Sequence, residues 1–87
     1  TILVDGGIEA QTHQVMKNLL RVLDAAGSSL EKVIFARVYL VNFGDFDKMN
    51  KVYASYFEKD KLPARTCIGV TGLAVGASVE IDFIASC

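Results

Sequence analysis

Apolar positions recur at helical spacing in two stretches of this chain and at strand spacing in the rest. From about Ile8 to Ala26, the residues Val15, Leu19, Val22 and Ala26 fall three or four apart, with Met16, Leu20 and Leu23 beside them. That spacing stacks them on one face of a helix. Glu9 lies in the first turn, where the helix dipole favours an acid, and Gly27 follows the last turn, where a left-handed residue closes a helix. A second helix is predicted over Asp45–Phe57. Asp45 can cap it, Phe46, Met49, Val52, Tyr53, Tyr56 and Phe57 form its buried stripe, and Lys48 and Lys51 point outward.

The remaining apolar runs are β-branched and short. Thr1 to Val4 reads as a strand punctuated by Asp5-Gly6-Gly7. In Val33 to Val41, Ile34, Ala36, Val38 and Leu40 make one apolar face, and Val33, Phe35, Arg37, Tyr39 and Val41 make another that is apolar with one charge. A strand apolar on both faces must be covered on both. Two helices can cover one face in a chain this short, and another subunit is the natural cover for the second. Ala64 to Leu73 and Ser78 to Ala85 read as an antiparallel hairpin around Ala74-Val75-Gly76-Ala77. The fold class expected is α+β, a single domain over 1–87 in the order strand, helix, strand, helix, strand, strand. Its mixed sheet carries both helices on one face.

Composition removes several classes of function. The chain is 52% hydrophobic and 22% charged, which suits a globular domain. Its formal net charge is −1, and Lys48, Lys51, Lys59 and Lys61 alternate with Asp45, Asp47, Glu58 and Asp60, so no basic footprint for nucleic acid stands out. Two cysteines and a lone His13 offer no metal-ligand spacing, and no metal site is expected. No apolar run reaches the roughly eighteen residues of a membrane span. Low cysteine density suits a reducing setting, cytoplasmic, or mitochondrial where a targeting segment precedes Thr1.

Candidate chemistry concentrates in Pro63-Ala64-Arg65-Thr66-Cys67-Ile68-Gly69. Pro63 fixes the backbone ahead of the strand, and Arg65 offers a planar fork of donors that matches a carboxylate. Cys67 and Gly69 follow on the same strand face, a small thiol and then a vacancy, so the three make a floor for a small anion. The same arginine serves equally well as the partner of a surface acid. If the hairpin turn centres between Val75 and Gly76, Thr71 faces Glu80, Val70 faces Ile81 and Ile68 faces Phe83. Arg65, Cys67, Gly69, Thr71, Glu80 and Asp82 then share the face away from the core. Arg65 and Glu80 would stand roughly 20 Å apart along the strand. A small ligand can meet both only between two chains.

Leu62-Pro63-Ala64-Arg65-Thr66-Cys67, continuing through Leu73 to Val79-Glu80-Ile81-Asp82, resembles the C-terminal signature of the RidA (YjgF) family of reactive-intermediate deaminases. The resemblance runs over essentially the whole chain, including Gln11, Asn18 and Leu19, Ala25-Ala26-Gly27, Asp45-Phe46-Asp47, and Asn50 with Tyr53 and Phe57. It implies a homotrimer with a chorismate-mutase-like fold and sites in the clefts between subunits. It implies hydrolysis of 2-imino acids to 2-keto acids and ammonia without a cofactor. Arg65 would clamp the substrate carboxylate, Cys67 would line the pocket, Glu80 would position or activate water, and Asn50 matches a polar helix position near the site. The family pattern opens with two strands bearing a pocket-lining tyrosine and a Ser-Gly-Gln segment. Neither occurs here, and Tyr39, Tyr53 and Tyr56 do not match that tyrosine, so a domain lacking its N-terminal strands is expected. Two rival functions share the resemblance: a small-carboxylate-binding trimer without turnover, and an endoribonuclease or translation inhibitor.

Overall fold

A computed structural model describes residues 6–86. The strand expected at 1–4 lies outside the described residues, as does Cys87. Helix α1 spans Gly7–Ala25, strand β1 Val33–Leu40, helix α2 Phe46–Ser55, strand β2 Ala64–Gly69 and strand β3 Val79–Ala85. Single 3-10 turns at Leu30–Lys32, Phe43–Asp45 and Ala74–Gly76 join them. No helix among the described residues is long and apolar enough to cross a membrane.

Both ends of α1 follow from glycines. Gly6 precedes the helix at φ 113, and a Cβ there would sit 2.9 Å from that of Ala10, so only glycine fits. At the other end Gly27 takes φ 76. Its N–H donates to Asp24 O at 3.1 Å, and Ser28 N–H donates to Leu23 O at 2.8 Å, the paired bonds of a Schellman closure. The buried stripe is rotated from the one predicted. Ile8, Thr12, Met16 and Leu23 are buried with Val15 and Leu19 packed beside them, whereas Val22 is 63% exposed. Gln11 is also buried, because its Oε1 accepts the Ser78 N–H at 2.8 Å and ties the helix to the entrance of β3.

Among the described residues β1 is the middle strand of three, in the order β2-β1-β3. It pairs parallel with β2, Ala36 beside Arg65, Val38 beside Cys67 and Leu40 beside Gly69. It pairs antiparallel with β3, Val38 beside Ile81 and Tyr39 beside Glu80. Ala36, Val38 and Leu40 are fully buried with Val79 and Ile81 against Met16, Met49 and Tyr53, so both helices cover this one face. The fold class read from the sequence is the one observed. A register shift between Val33 and Phe35 reverses the predicted sides at the strand's start: Val33 is buried and Ile34 is 60% exposed.

The hairpin is not formed. β2 ends at Gly69, and the segment after it crosses the end of β1 instead of doubling back. Val70 N–H donates to Leu40 O at 2.9 Å, and Val41 N–H donates to Ser78 O at 3.2 Å, so the crossing is pinned on both sides of β1. The physical reason is β1 itself. Its wholly apolar inner face gains most when strands flank both of its edges. One consequence reverses a predicted face. Arg65, Cys67 and Gly69 point to the helix side, while Thr66 and Ile68 share the open side with Arg37, Tyr39, Glu80 and Asp82. Three isoleucines remain exposed on that side, Ile34 at 60%, Ile68 at 45% and Ile84 at 50%.

The crossing contains a strained residue. Val75 holds φ 52 and ψ 25, a left-handed conformation that a β-branched side chain resists. Val75→Asn should raise the unfolding free energy by about 0.5–1 kcal/mol, read as a higher urea midpoint at unchanged slope. A lowered midpoint would mean that contacts of the valine side chain outweigh its strain.

Candidate functional site

Arg65 is placed by two elements, the strand that carries it and the helix that lies over it. Phe46, Asn50 and Tyr53 recur four and three residues apart on α2 and so share the face turned to β2. Asn50 Oδ1 accepts a hydrogen bond from Arg65 Nη1 at 2.5 Å. The Arg65 Cζ lies 4.9 Å from the centroid of the Tyr53 ring and 5.4 Å from that of Phe46. A guanidinium at such distances is attracted by the negative faces of both rings. Arg65 is half-buried, and among the described residues it forms no ion pair. Pairing with a surface acid, which the sequence left open, does not occur among these residues.

Around the guanidinium the surroundings are apolar. Burial pushes the Tyr53 phenol above its ordinary value, partly offset by the Arg65 charge. The Tyr53 hydroxyl is fully buried and has no hydrogen-bond partner among the described residues. Cys67, two residues along β2, is a half-buried free thiol. Burial likewise raises its pKa, and Arg65 acts in the opposite direction. The space left over Gly69 is bordered on one side by Phe43. A Cβ there would meet Phe43 Cδ1 at 3.7 Å, an ordinary contact, because the Phe43 ring leans over the strand. Phe43 in turn stacks on Phe46, with centroids 5.6 Å apart and planes 13° from parallel. This aromatic wall went unrecognised in the sequence, where Phe46 reads only as core and Phe43 as connection.

Glu80 lies elsewhere. It is exposed on the open face, beside Tyr39 on the far edge of β1, whereas Arg65 sits beside Ala36 on the near edge and the opposite face. The two Cα atoms are separated by three residues along the strands and two strand spacings across, about 10 Å in each direction. The single chain therefore brings Arg65, Asn50 and Cys67 together and leaves Glu80 apart. Asp82, predicted beside Glu80, pairs with Arg37, whose Nε donates to Asp82 Oδ1 at 2.8 Å. His13 is exposed, and its Nδ1 lies 2.8 Å from the Tyr56 hydroxyl, its hydrogen-bond partner at the end of α2. A cleft floored by Leu30, Tyr56 and Phe57, with Glu31, Glu58 and Lys61 at its rim, holds none of the predicted site residues.

The sequence profile of the family described as Endoribonuclease L-PSP matches residues 1–87. A RutC family protein of Pyrococcus horikoshii is 47% identical over 83 residues, 95% of this chain and 65% of its own length. The crystal structure of YyfA from Yersinia pestis, of the conserved Rid protein family, superposes with a TM-score of 0.94 at 38% identity, covering 99% of this chain and 68% of that one. The structure of Escherichia coli TdcF with bound serine superposes with a TM-score of 0.87 at 27% identity, covering 94% of this chain and 66% of that one. The chain spans about 65% of the length of the curated relatives it matches.

The thiol reports on the charge beside it. Arg65→Met removes the cation that favours the thiolate, so the Cys67 pKa should rise further and alkylation by iodoacetamide at pH 8 should slow by roughly two- to fivefold. Arg65→Lys should retain the original rate. Equal rates in all three proteins would show that the guanidinium charge does not reach the thiol.

Proposed function

Since the chain belongs to the endoribonuclease L-PSP family, with RutC and Rid proteins among its relatives, we propose that it is a subunit of an enzyme hydrolysing 2-imino acids to 2-keto acids and ammonia. The observation that carries this reading is a half-buried arginine, oriented by Asn50 and flanked by rings, that no acid among the described residues neutralises. Such a group is built to receive an anion from outside. The serine held by TdcF is a small molecule of matching chemistry, a carboxylate beside a nitrogen-bearing carbon.

The reaction demands little beyond placement. In a protonated 2-imino acid the C=N carbon is already electrophilic. Arg65 holds the neighbouring carboxylate in two parallel hydrogen bonds and fixes where that carbon sits. Cys67 lines the floor as a neutral thiol. With no histidine beside it to take its proton, it is not a nucleophile. Glu80 of a neighbouring copy accepts a proton from the attacking water as oxygen bonds to carbon, then returns it to the nitrogen as the C–N bond breaks. Water supplies the keto oxygen, its second proton passes from the hydroxyl to the departing ammonia as the carbonyl forms, so ammonium leaves, and no metal or organic cofactor enters the balance.

The neighbouring copy is part of the reading because Glu80 and Arg65 occupy opposite faces of the sheet. The exposed Ile34, Ile68 and Ile84 supply an apolar surface for that copy to cover, and a closed homotrimer satisfies every subunit equally. The family description favours one competing reading, cleavage of RNA. Net charge −1 gives little phosphate attraction, so RNA binding that survives a titration to moderate salt would be needed to sustain it.

Arg65→Ala should abolish ammonia release from 2-iminobutyrate, a loss of at least about a hundredfold, without dissociating the oligomer. Undiminished turnover would remove Arg65 from the mechanism. Glu80→Gln should lower turnover by roughly 10²–10⁴-fold and weaken 2-ketobutyrate binding far less. Equal losses in turnover and binding would support a binding protein over an enzyme.

A further inference from the structure

Arginine and asparagine meet here in an arrangement that separates two duties. The Asn50 carbonyl and a ligand carboxylate are both acceptors, and a guanidinium offers five N–H donors in a fixed plane. Asn50 takes one from Nη1. The Nε–H and Nη2–H edge keeps the spacing that a carboxylate needs for two parallel bonds. We propose that Asn50 is a positioning residue. With the Phe46 and Tyr53 rings it locks the Arg65 guanidinium so that this free edge meets the substrate carboxylate, and it does not itself touch the ligand. The proposal rests on the reading of Arg65 as the carboxylate clamp.

Three features support that division. Arg65 is long and rotamer-rich, so an unheld guanidinium would lose its freedom at the moment of binding. Contacts already made within the chain remove that cost beforehand. Both rings lie within cation–π distance of Cζ, 5.4 Å for Phe46 and 4.9 Å for Tyr53, and so favour the guanidinium's present position. The acceptor is a neutral amide. An aspartate in the same place would orient the guanidinium equally well but cancel the charge that an anionic substrate seeks. Asparagine orients without neutralising. Its position, half-buried between Phe46 and Tyr53 on one helix face, also directs it at β2.

Isothermal titration of the full chain with 2-ketobutyrate tests the idea in four proteins. Asn50→Ala should weaken binding by up to roughly tenfold, the cost of ordering one long side chain at the moment of binding. In an Arg65→Ala background the same substitution should add nothing. A loss that persists there would mean that Asn50 contacts the ligand and would overturn the proposal. Asn50→Asp should bind worse than Asn50→Ala at pH 7. It should recover only as the pH falls below about 4, because the arginine beside it holds the introduced carboxyl below its ordinary range and only its protonation restores the free arginine charge. The wild-type protein should show no such recovery, and a flat profile in the variant also counts against the proposal.

A second measurement needs no ligand. Rotation about the Arg65 Cζ–Nη bonds should be slow in the wild-type protein, giving separately resolved Nη–H resonances that merge in Asn50→Ala. Unchanged resonances in that variant overturn the positioning role. If they merge while the wild-type protein neither binds 2-ketobutyrate nor releases ammonia from 2-iminobutyrate, the deaminase reading fails and the positioning role stands.

Discussion

Pairing along both edges of β1 sets the direction of every other side chain in the sheet. Ala36, Val38 and Leu40 are fully buried beneath the helices, and each neighbour opposite them must point the same way. On β2 that neighbour set is Arg65, Cys67 and Gly69; on β3 it is Val79, Ile81 and Phe83. A charged side chain is thereby drawn to the covered face of the sheet. It is tolerated there because the Asn50 carbonyl and two aromatic rings replace part of its hydration. The same pairing sends Glu80 outward to the open face.

This division gives the molecule two surfaces of different character. Under α2 lies the seat that holds the arginine, where burial pushes the neighbouring Cys67 thiol's pKa up and the arginine charge opposes it. On the open side, three exposed isoleucines surround a solvent-exposed Arg37–Asp82 pair. Exposed ion pairs contribute little to stability, so that pair serves registration more than adhesion. The apolar residues there are the larger debt to solvent, and a second copy that covers them would also carry its Glu80 toward a neighbour.

The site is legible in part from spacing. Pro63-Ala64-Arg65-Thr66-Cys67 announces a donor fork over a small thiol, and Asn50 is a polar interruption in an otherwise apolar helix face. The aromatic wall was hidden because Phe46 and Tyr53 fit the buried stripe equally well, and nothing in helical periodicity says that a guanidinium will lie against their rings. The wall beside Gly69 was hidden for a related reason. Phe43 precedes α2, more than twenty residues away in sequence, and only packing brings its ring over the strand.

What local sequence determined here is whatever depends on near neighbours: both helices, the Gly27 closure, the strand character of three segments and an α+β layering with both helices on one side. Strand order was beyond its reach. Alternation has a period of two, so it divides the residues of a strand into two sets without saying which partner each edge meets or which set faces inward. In β2 the outward set of Thr66 and Ile68 is no more polar than the inward set of Arg65 and Cys67, and the hairpin was the shorter path. Only the long-range competition for the edges of β1 decided it, and with it the opposite facing of Arg65 and Glu80.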